Sequence, residues 1–151
     1  AFTVAHSITL ALATLGVIHV PGPPVEAIIA LSIVFVAQEV IQRQRGHAGL
    51  GSRKPWLVAF AFGLLHGLGF AGALAEVGLP HNAIPLALLF FNVGVELGQL
   101  VFIAAVLAVT ALLRRLWRGI SAPHWAIPLQ AYLIGGVASF WLIERIVAFW
   151  G

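Results

Sequence analysis

The chain has 151 residues, of which 61% are hydrophobic and 9% charged, and its mean hydropathy is +1.03. A soluble domain carries about 25% charged residues, so this chain lacks the polar surface needed to face water on all sides. Its net charge of +3 comes from a few basic residues at the ends of apolar segments. Basic residues in these positions are typical of membrane proteins, where they set the orientation, and do not form the basic surface that binds nucleic acid.

Five apolar segments are separated by short polar breaks, without the alternation of apolar and polar positions that a β-barrel needs. The sequence therefore predicts an all-α fold, a polytopic membrane bundle of about five transmembrane helices in a single domain over residues 1–151. The predicted segments are 2–20, 25–42, 56–77, 83–113 and 125–150.

The chain contains neither cysteine nor methionine. Disulfides and thiolate metal sites are therefore excluded. The missing initiator methionine leads us to expect a processed product or a fragment of a longer protein.

Two of the four polar breaks carry the basic residues, and these are 43–54 and 114–124. Alternate loops of a membrane bundle lie on the same side, so the two basic breaks agree with five spans. The positive-inside rule predicts that both breaks are cytoplasmic.

Two glycine pairs repeat at four-residue spacing. Gly63 and Gly67 lie in the third segment, and Gly94 and Gly98 lie in the fourth. This spacing places both glycines of a pair on one helical face, where two helix backbones can approach closely. We expect both pairs to support helix packing.

Polar residues within the apolar segments are the most informative feature. An ionisable group near the bilayer centre costs a few kcal/mol on insertion scales, so it is expected to be paired, to face a cavity or to bind something. His66 lies about ten residues into the third segment, which corresponds to a depth of about 15 Å. Asn92, Glu96 and Gln99 share one face of the fourth segment. We expect His66 and this stripe to face each other in the bundle interior.

Two further pairs of polar residues extend this line toward the membrane surfaces. His19 and Glu26 flank the proline-rich turn near the predicted outer surface, whereas His6 and Glu39 lie toward the predicted cytoplasmic side. Three levels of polar groups are what a stepwise path for a cation needs, although ordinary interfacial residues would give the same pattern at the two ends.

The side chains on this line suit a transition metal. A carboxylate with a neutral imidazole favours Ni, Zn, Cu, Fe or Co, whereas Mg and Ca prefer oxygen ligands alone. The alternative for the midplane is a His–Glu pair that only shares a hydrogen bond or a proton. The predicted metal-ligating residues are His6, Glu26, Glu39, His66, Asn92, Glu96 and Gln99.

Four blocks of sequence carry a resemblance to a known family. They are FTVAHSITL at 2–10, VEAIIALS at 25–32, FGLLHGLGFA at 62–71 and FNVGVELGQ at 91–99. Together they resemble the HupE/UreJ proteins, and within them the branch with an FTxxHSxTL opening. The resemblance implies a bacterial inner-membrane protein associated with nickel supply to hydrogenase and urease. It also implies that an extracytoplasmic region precedes residue 1, and it points to His6, Glu26, His66, Asn92, Glu96 and Gln99.

Three hypotheses follow for the function. The favoured one is a permease for a transition metal, with Ni²⁺ as the first choice, in contact with the lipid bilayer and with homo-oligomerisation left open. The second is a membrane metalloenzyme, in which three or four of the same ligands hold one metal with an open position for a reactive water. The third is a non-catalytic module whose polar residues only specify helix pairing.

Overall fold

The computed structural model describes residues 1–77, 84–116 and 125–150. Within these ranges every regular element is an α-helix, and four of the helices are long and apolar enough to cross a membrane, with one shorter apolar helix beside them. The predicted all-α bundle of about five apolar helices is confirmed. The helices are α1 (Phe2–Thr14), α2 (Gly22–Gln44), α3 (Leu50–Arg53), α4 (Pro55–Val77), α5 (Ile84–Leu116) and α6 (Ala126–Trp150).

The predicted turn at 78–82 and positions 117–124 of the second basic break lie outside the described residues. The remaining helix ends fall within a few residues of the predicted ones, except at α1.

Helix α1 ends at Thr14, well before the predicted end of the first segment. Gly16 adopts a φ of 73°, a left-handed conformation that favours glycine. Its amide donates to the carbonyl oxygen of Ala13 at 3.0 Å, and the Val17 amide donates to that of Leu12 at 2.9 Å. These are the two bonds of a Schellman motif, which satisfies the last carbonyls of a helix. The apolar residues after Gly16 therefore connect two helices and do not lengthen α1.

The helices pack as a row in the order α6, α2, α4, α1, α5, with the single turn α3 against α2 and α4. Each end helix of the row has one neighbour among these elements. A small core forms where three of the helices meet, from Leu10 of α1, Ala71 of α4 and Leu88 of α5. Most other large apolar side chains point outward, as expected for helices that face lipid.

Glycines bring the backbones of α1 and α4 close together. A Cβ added at Gly63 would overlap the carbonyl oxygen of Phe2, and one added at Gly67 would overlap that of His6. From the first contact to the second, the residue number rises by four in both helices, so α1 and α4 run parallel. The packing expected for this glycine pair is present.

The second glycine pair behaves differently. A Cβ at Gly94 or Gly98 would have no atom within 4 Å among the described residues, so no helix packs on that face of α5 in this part of the chain. The reason is rotational: at 3.6 residues per turn, Gly94 lies about 200° around the helix from Asn92, which is the residue that faces α1.

Candidate functional site

His6 lies at the centre of the α1–α4–α5 cluster, with 1% of its surface exposed. Its Nδ1 lies 3.0 Å from Oδ1 of Asn92 on α5. The amide of Asn92 is oriented because its Nδ2 donates to the carbonyl oxygen of Leu88 at 2.9 Å, while Ser7 Oγ lies 2.9 Å from Oδ1. An amide oxygen can only accept, so Nδ1 of His6 donates. In the neutral ring, Nε2 then carries the lone pair.

The second nitrogen of His6 is enclosed. Nε2 is buried and has no hydrogen-bond partner in the described part of the chain. Aromatic rings surround the imidazole: Phe2 and Phe91 stack on it with centroids 5.9 and 6.4 Å away, and Phe70 meets it edge-on at 5.5 Å. A buried polar atom left unsatisfied costs about 1–3 kcal/mol. His6 therefore presents a lone pair for which this enclosure offers no proton donor.

His66 on α4 is hydrogen-bonded through the same ring nitrogen as His6. Its Nδ1 donates to the carbonyl oxygen of Phe62 at 2.8 Å, so in the neutral ring its lone pair is also on Nε2. The side chain is half-buried. Its ring centroid lies 5.6 Å from that of Phe2, the same ring that stacks on His6. Two imidazoles with the same fixed tautomer thus flank one phenyl ring.

A hydrogen bond from a hydroxyl group fixes the register of α1 against α4, and so the relative position of the two histidines along the helix axes. Thr9 on α1 donates across the interface to the carbonyl oxygen of Leu64 on α4, at 2.8 Å. With Gly67 against the His6 backbone, this register puts His6 beside the middle of α4 and level with His66. The predicted placement of His6 at a separate inner level is therefore wrong, because the short helix α1 packs beside the centre of α4.

The polar stripe of α5 enters the interior only at Asn92. Helix α5 runs antiparallel to α1, and Asn92 is level with Ser7. Glu96 and Gln99 lie one and two turns further along and are exposed. The expectation that they face His66 inside the bundle is wrong, because α1 begins about one turn beyond Ser7 and no other described helix faces the rest of the stripe.

Glu26 and His19 line one cavity of about 690 Å³ between the α1–α2 connection and α4. Oε2 of Glu26 also lies 2.6 Å from Nε of Arg145 on α6. The Glu26 and Arg145 side chains are 52% and 41% exposed, so solvent or headgroups screen this ion pair. The predicted outer pair is thus placed at a common cavity, and its carboxylate has a cationic neighbour.

Glu39 has a different local role. Its Oε1 accepts the amide of Leu50 at 2.8 Å, and its Oε2 accepts the amide of Gly51 at 3.0 Å. These amides belong to the first turn of α3, where backbone donors have no partner within the helix. The Glu39 carboxylate therefore stabilises the connection between α2 and α4.

The site as a whole combines predicted and unpredicted residues. Among the described residues, no three His, Asp or Glu side chains lie close enough to hold one metal ion. Sequence reasoning missed the aromatic enclosure, although a signal was present. Phe2 lies four residues before His6, and Phe70 lies four residues after His66, a spacing that places each pair on one helix face.

These features define a class of protein. A bundle of apolar helices that holds one buried and one half-buried imidazole at mid-span is a polytopic membrane protein with an intramembrane polar site. Such ionisable residues mark substrate or ion pathways in membrane proteins.

The chain belongs to the HupE/UreJ family, whose model matches residues 1–145. This confirms the family to which the four sequence blocks pointed. Proteins of the family are membrane proteins associated with transition-metal transport. Neither a curated protein nor a solved structure matches the chain.

Proposed function

We propose that this chain is a transition-metal permease of the bacterial inner membrane, with Ni²⁺ as its first cargo. The observation that carries the proposal is the buried Nε2 of His6, which has no hydrogen-bond partner in the described part of the chain while Nδ1 is held by Asn92. His66 has the same tautomer beside the same phenyl ring.

This hydrogen bonding is what a metal-binding histidine requires. A ligating imidazole usually donates its other ring N–H to a carbonyl or carboxylate, which fixes the tautomer and raises the basicity of the ligand. His6 does so to a side-chain amide and His66 to a backbone carbonyl. Phe2 and Phe91 stack on the His6 imidazole and enclose it.

The number of ligands favours conduction over a resident centre. A structural or catalytic zinc takes three or four protein ligands. A conducted ion must be bound well enough to enter and weakly enough to leave. Two imidazoles make a weaker site than a full coordination shell, which suits an ion in transit.

A route through the bundle follows from the positions of the remaining polar groups. The cavity lined by His19 and Glu26 collects the cation at one end of α1, and the pair His6 and His66 receives it at mid-span. Beyond the bundle interior, Glu96 and Gln99 continue the line of polar groups on the exposed face of α5. They lead toward the end that carries Arg114 and Arg115, which we place in the cytoplasm by the positive-inside rule. In this route Glu39 positions α3 and is not a ligand. Glu96 and Gln99 thus replace the predicted inner level of His6 and Glu39.

Nickel is the preferred cargo for two reasons. Imidazole nitrogen binds Ni, Cu, Zn and Fe, so the donor set selects this group of metals over Mg and Ca. Within that group the family association with nickel and cobalt supply favours Ni²⁺. Zn, Cu, Fe and Co are the competing cargoes to be compared in the same assay.

The test is metal flux into proteoliposomes that contain the purified chain and a metal-sensitive dye. His6→Ala and His66→Ala should each reduce the initial Ni²⁺ flux at least about ten-fold, by analogy with the cost of disturbing a metal-ligand shell. The matched control is His47→Ala, because His47 is an exposed histidine in the first basic break.

The variants that lose Ni²⁺ flux decide between support and contradiction. Loss of flux in both interior variants, with the His47→Ala variant unchanged, supports the proposal. Normal flux in the interior variants, or an equal loss in the His47→Ala variant, contradicts it. Circular dichroism of each purified variant establishes that the helices are retained.

A further inference from the structure

A groove between α2 and α6 lies apart from the histidine site. Its cavity is about 470 Å³, and a second cavity of about 410 Å³ continues it past Arg45 and Tyr132. Its floor is formed where small residues meet: a Cβ on Gly135 would lie 3.1 Å from the Cβ of Ala37. The next residue, Gly136, has no atom within 4 Å of an added Cβ, so the groove is open there.

The groove changes from polar to apolar along its length. At one end it is lined by Arg45, which follows the last residue of α2, with Gln42 and the 58%-exposed Tyr132 nearby. Toward the other end the wall includes Val34 and Ala37, with Gln38 and Ser139 as its polar members, and the Ser139 hydroxyl donates to the carbonyl oxygen of Gly135. No lining residue is acidic, and no described carboxylate lies within salt-bridge distance of Arg45.

The dimensions match one leaflet of a bilayer. From Arg45 to Val34 the helix rises about 16 Å at 1.5 Å per residue. Half of the hydrocarbon core of a bilayer is about 15 Å thick. A ligand whose head lies at Arg45 would therefore reach the end of the groove with a chain one leaflet long.

We infer that this groove binds an anionic phospholipid, with the phosphate at Arg45 and Tyr132 and an acyl chain along Gly135 and Gly136. Basic pockets between transmembrane helices are known to take anionic headgroups, and tyrosine prefers the interface between lipid and water. The site uses neither imidazole of the metal route, so it does not depend on the proposed transport.

The experiment is native mass spectrometry of the purified chain in detergent, after addition of phosphatidylglycerol or of phosphatidylcholine with the same acyl chains. One phosphatidylglycerol should be retained per chain, and phosphatidylcholine should be retained at least about five-fold less. Arg45→Gln should reduce retention of phosphatidylglycerol about five-fold, the contribution of one basic residue near an anionic surface. Gly136→Leu should abolish retention, because its side chain fills the open groove.

Two matched controls accompany these variants. Arg53→Gln removes an equal charge from an exposed residue outside the groove, and Gly94→Leu adds the same side chain to another open helix face. Both should retain the lipid. Equal retention of the two lipids, no retention of either, or equal losses in the Arg53→Gln and Arg45→Gln variants would overturn the inference. Intact mass verifies each substitution, and circular dichroism shows that each variant retains its helices.

Discussion

The interfaces α1–α4 and α2–α6 both rely on small residues, but they differ in what the close approach brings together. Gly63 and Gly67 let α1 approach α4 until the Thr9 hydroxyl bonds a carbonyl oxygen of the opposite helix. Between α2 and α6, Ala37 meets Gly135, and the ion pair is confined to the far end. Small residues alone are thus enough to let two helices pack closely. Placing polar side chains inside the membrane also needs hydrogen bonds between the helices, and the α1–α4 interface has these.

The largest expected effect comes from adding a side chain where the backbones of α1 and α4 are in contact. Gly67→Ala places a methyl group against the His6 carbonyl oxygen and the Thr9 side chain. A backbone atom cannot rotate away, so we expect a loss of about 3 kcal/mol in the free energy of unfolding, the upper end for an overpacked site. The measurement is unfolding of the purified chain by titration of SDS into mild detergent.

The control for this change is Gly94→Ala, which adds the same methyl group to the open face of α5. It should be neutral or slightly stabilising, because alanine has the higher helix propensity. If the two alanine variants unfold alike, the close approach of α1 and α4 is not what stabilises this region.

The two interfaces also show how far the sequence could be read. Hydropathy and proline positions predicted the long helices α2, α4, α5 and α6 well, because these signals are local to each segment. The end of α1 was missed although Gly16 was visible, since the apolar residues after it obscured the stop signal. A single glycine can continue a helix or end it, and only its φ distinguishes the two.

A medium effect is expected at the amide that orients His6. Asn92→Ala removes the acceptor of the His6 Nδ1–H and leaves that group buried without its partner. The expected loss is about 2 kcal/mol in the free energy of unfolding, within the range for an unsatisfied buried donor. The same SDS titration measures it.

Thr110→Ala is the matched control on the same helix, since its hydroxyl is exposed and bonds only its own backbone, at Val106. It should change the free energy of unfolding by less than about 0.5 kcal/mol. Equal effects of the two variants would mean that the bond between His6 and Asn92 contributes nothing to the α1–α5 contact.

The residues of the site were predicted from the sequence more fully than their arrangement was. The unusual presence of His6, His66 and Asn92 in apolar segments identified them, because such residues are costly in lipid. Their relative heights depend on the register of α1 against α4, which is set by contacts between residues more than fifty positions apart. Counting residues from a segment end could not give that register, and so it misplaced His6 and turned Glu96 inward.

The smallest expected effect belongs to the α2–α6 interface. Arg145→Gln and Glu26→Gln each break an ion pair whose two side chains are about half exposed. Such pairs contribute about 0.2–1 kcal/mol, so a double-mutant cycle on the free energy of unfolding should give a coupling energy in that range. Glu144→Gln is the control, because its carboxylate lies 3.7 Å from Arg145 and is the weaker partner. A coupling energy well above 1 kcal/mol would show that the pair is shielded from solvent by lipid, and the α2–α6 interface would then depend on polar chemistry as much as α1–α4 does.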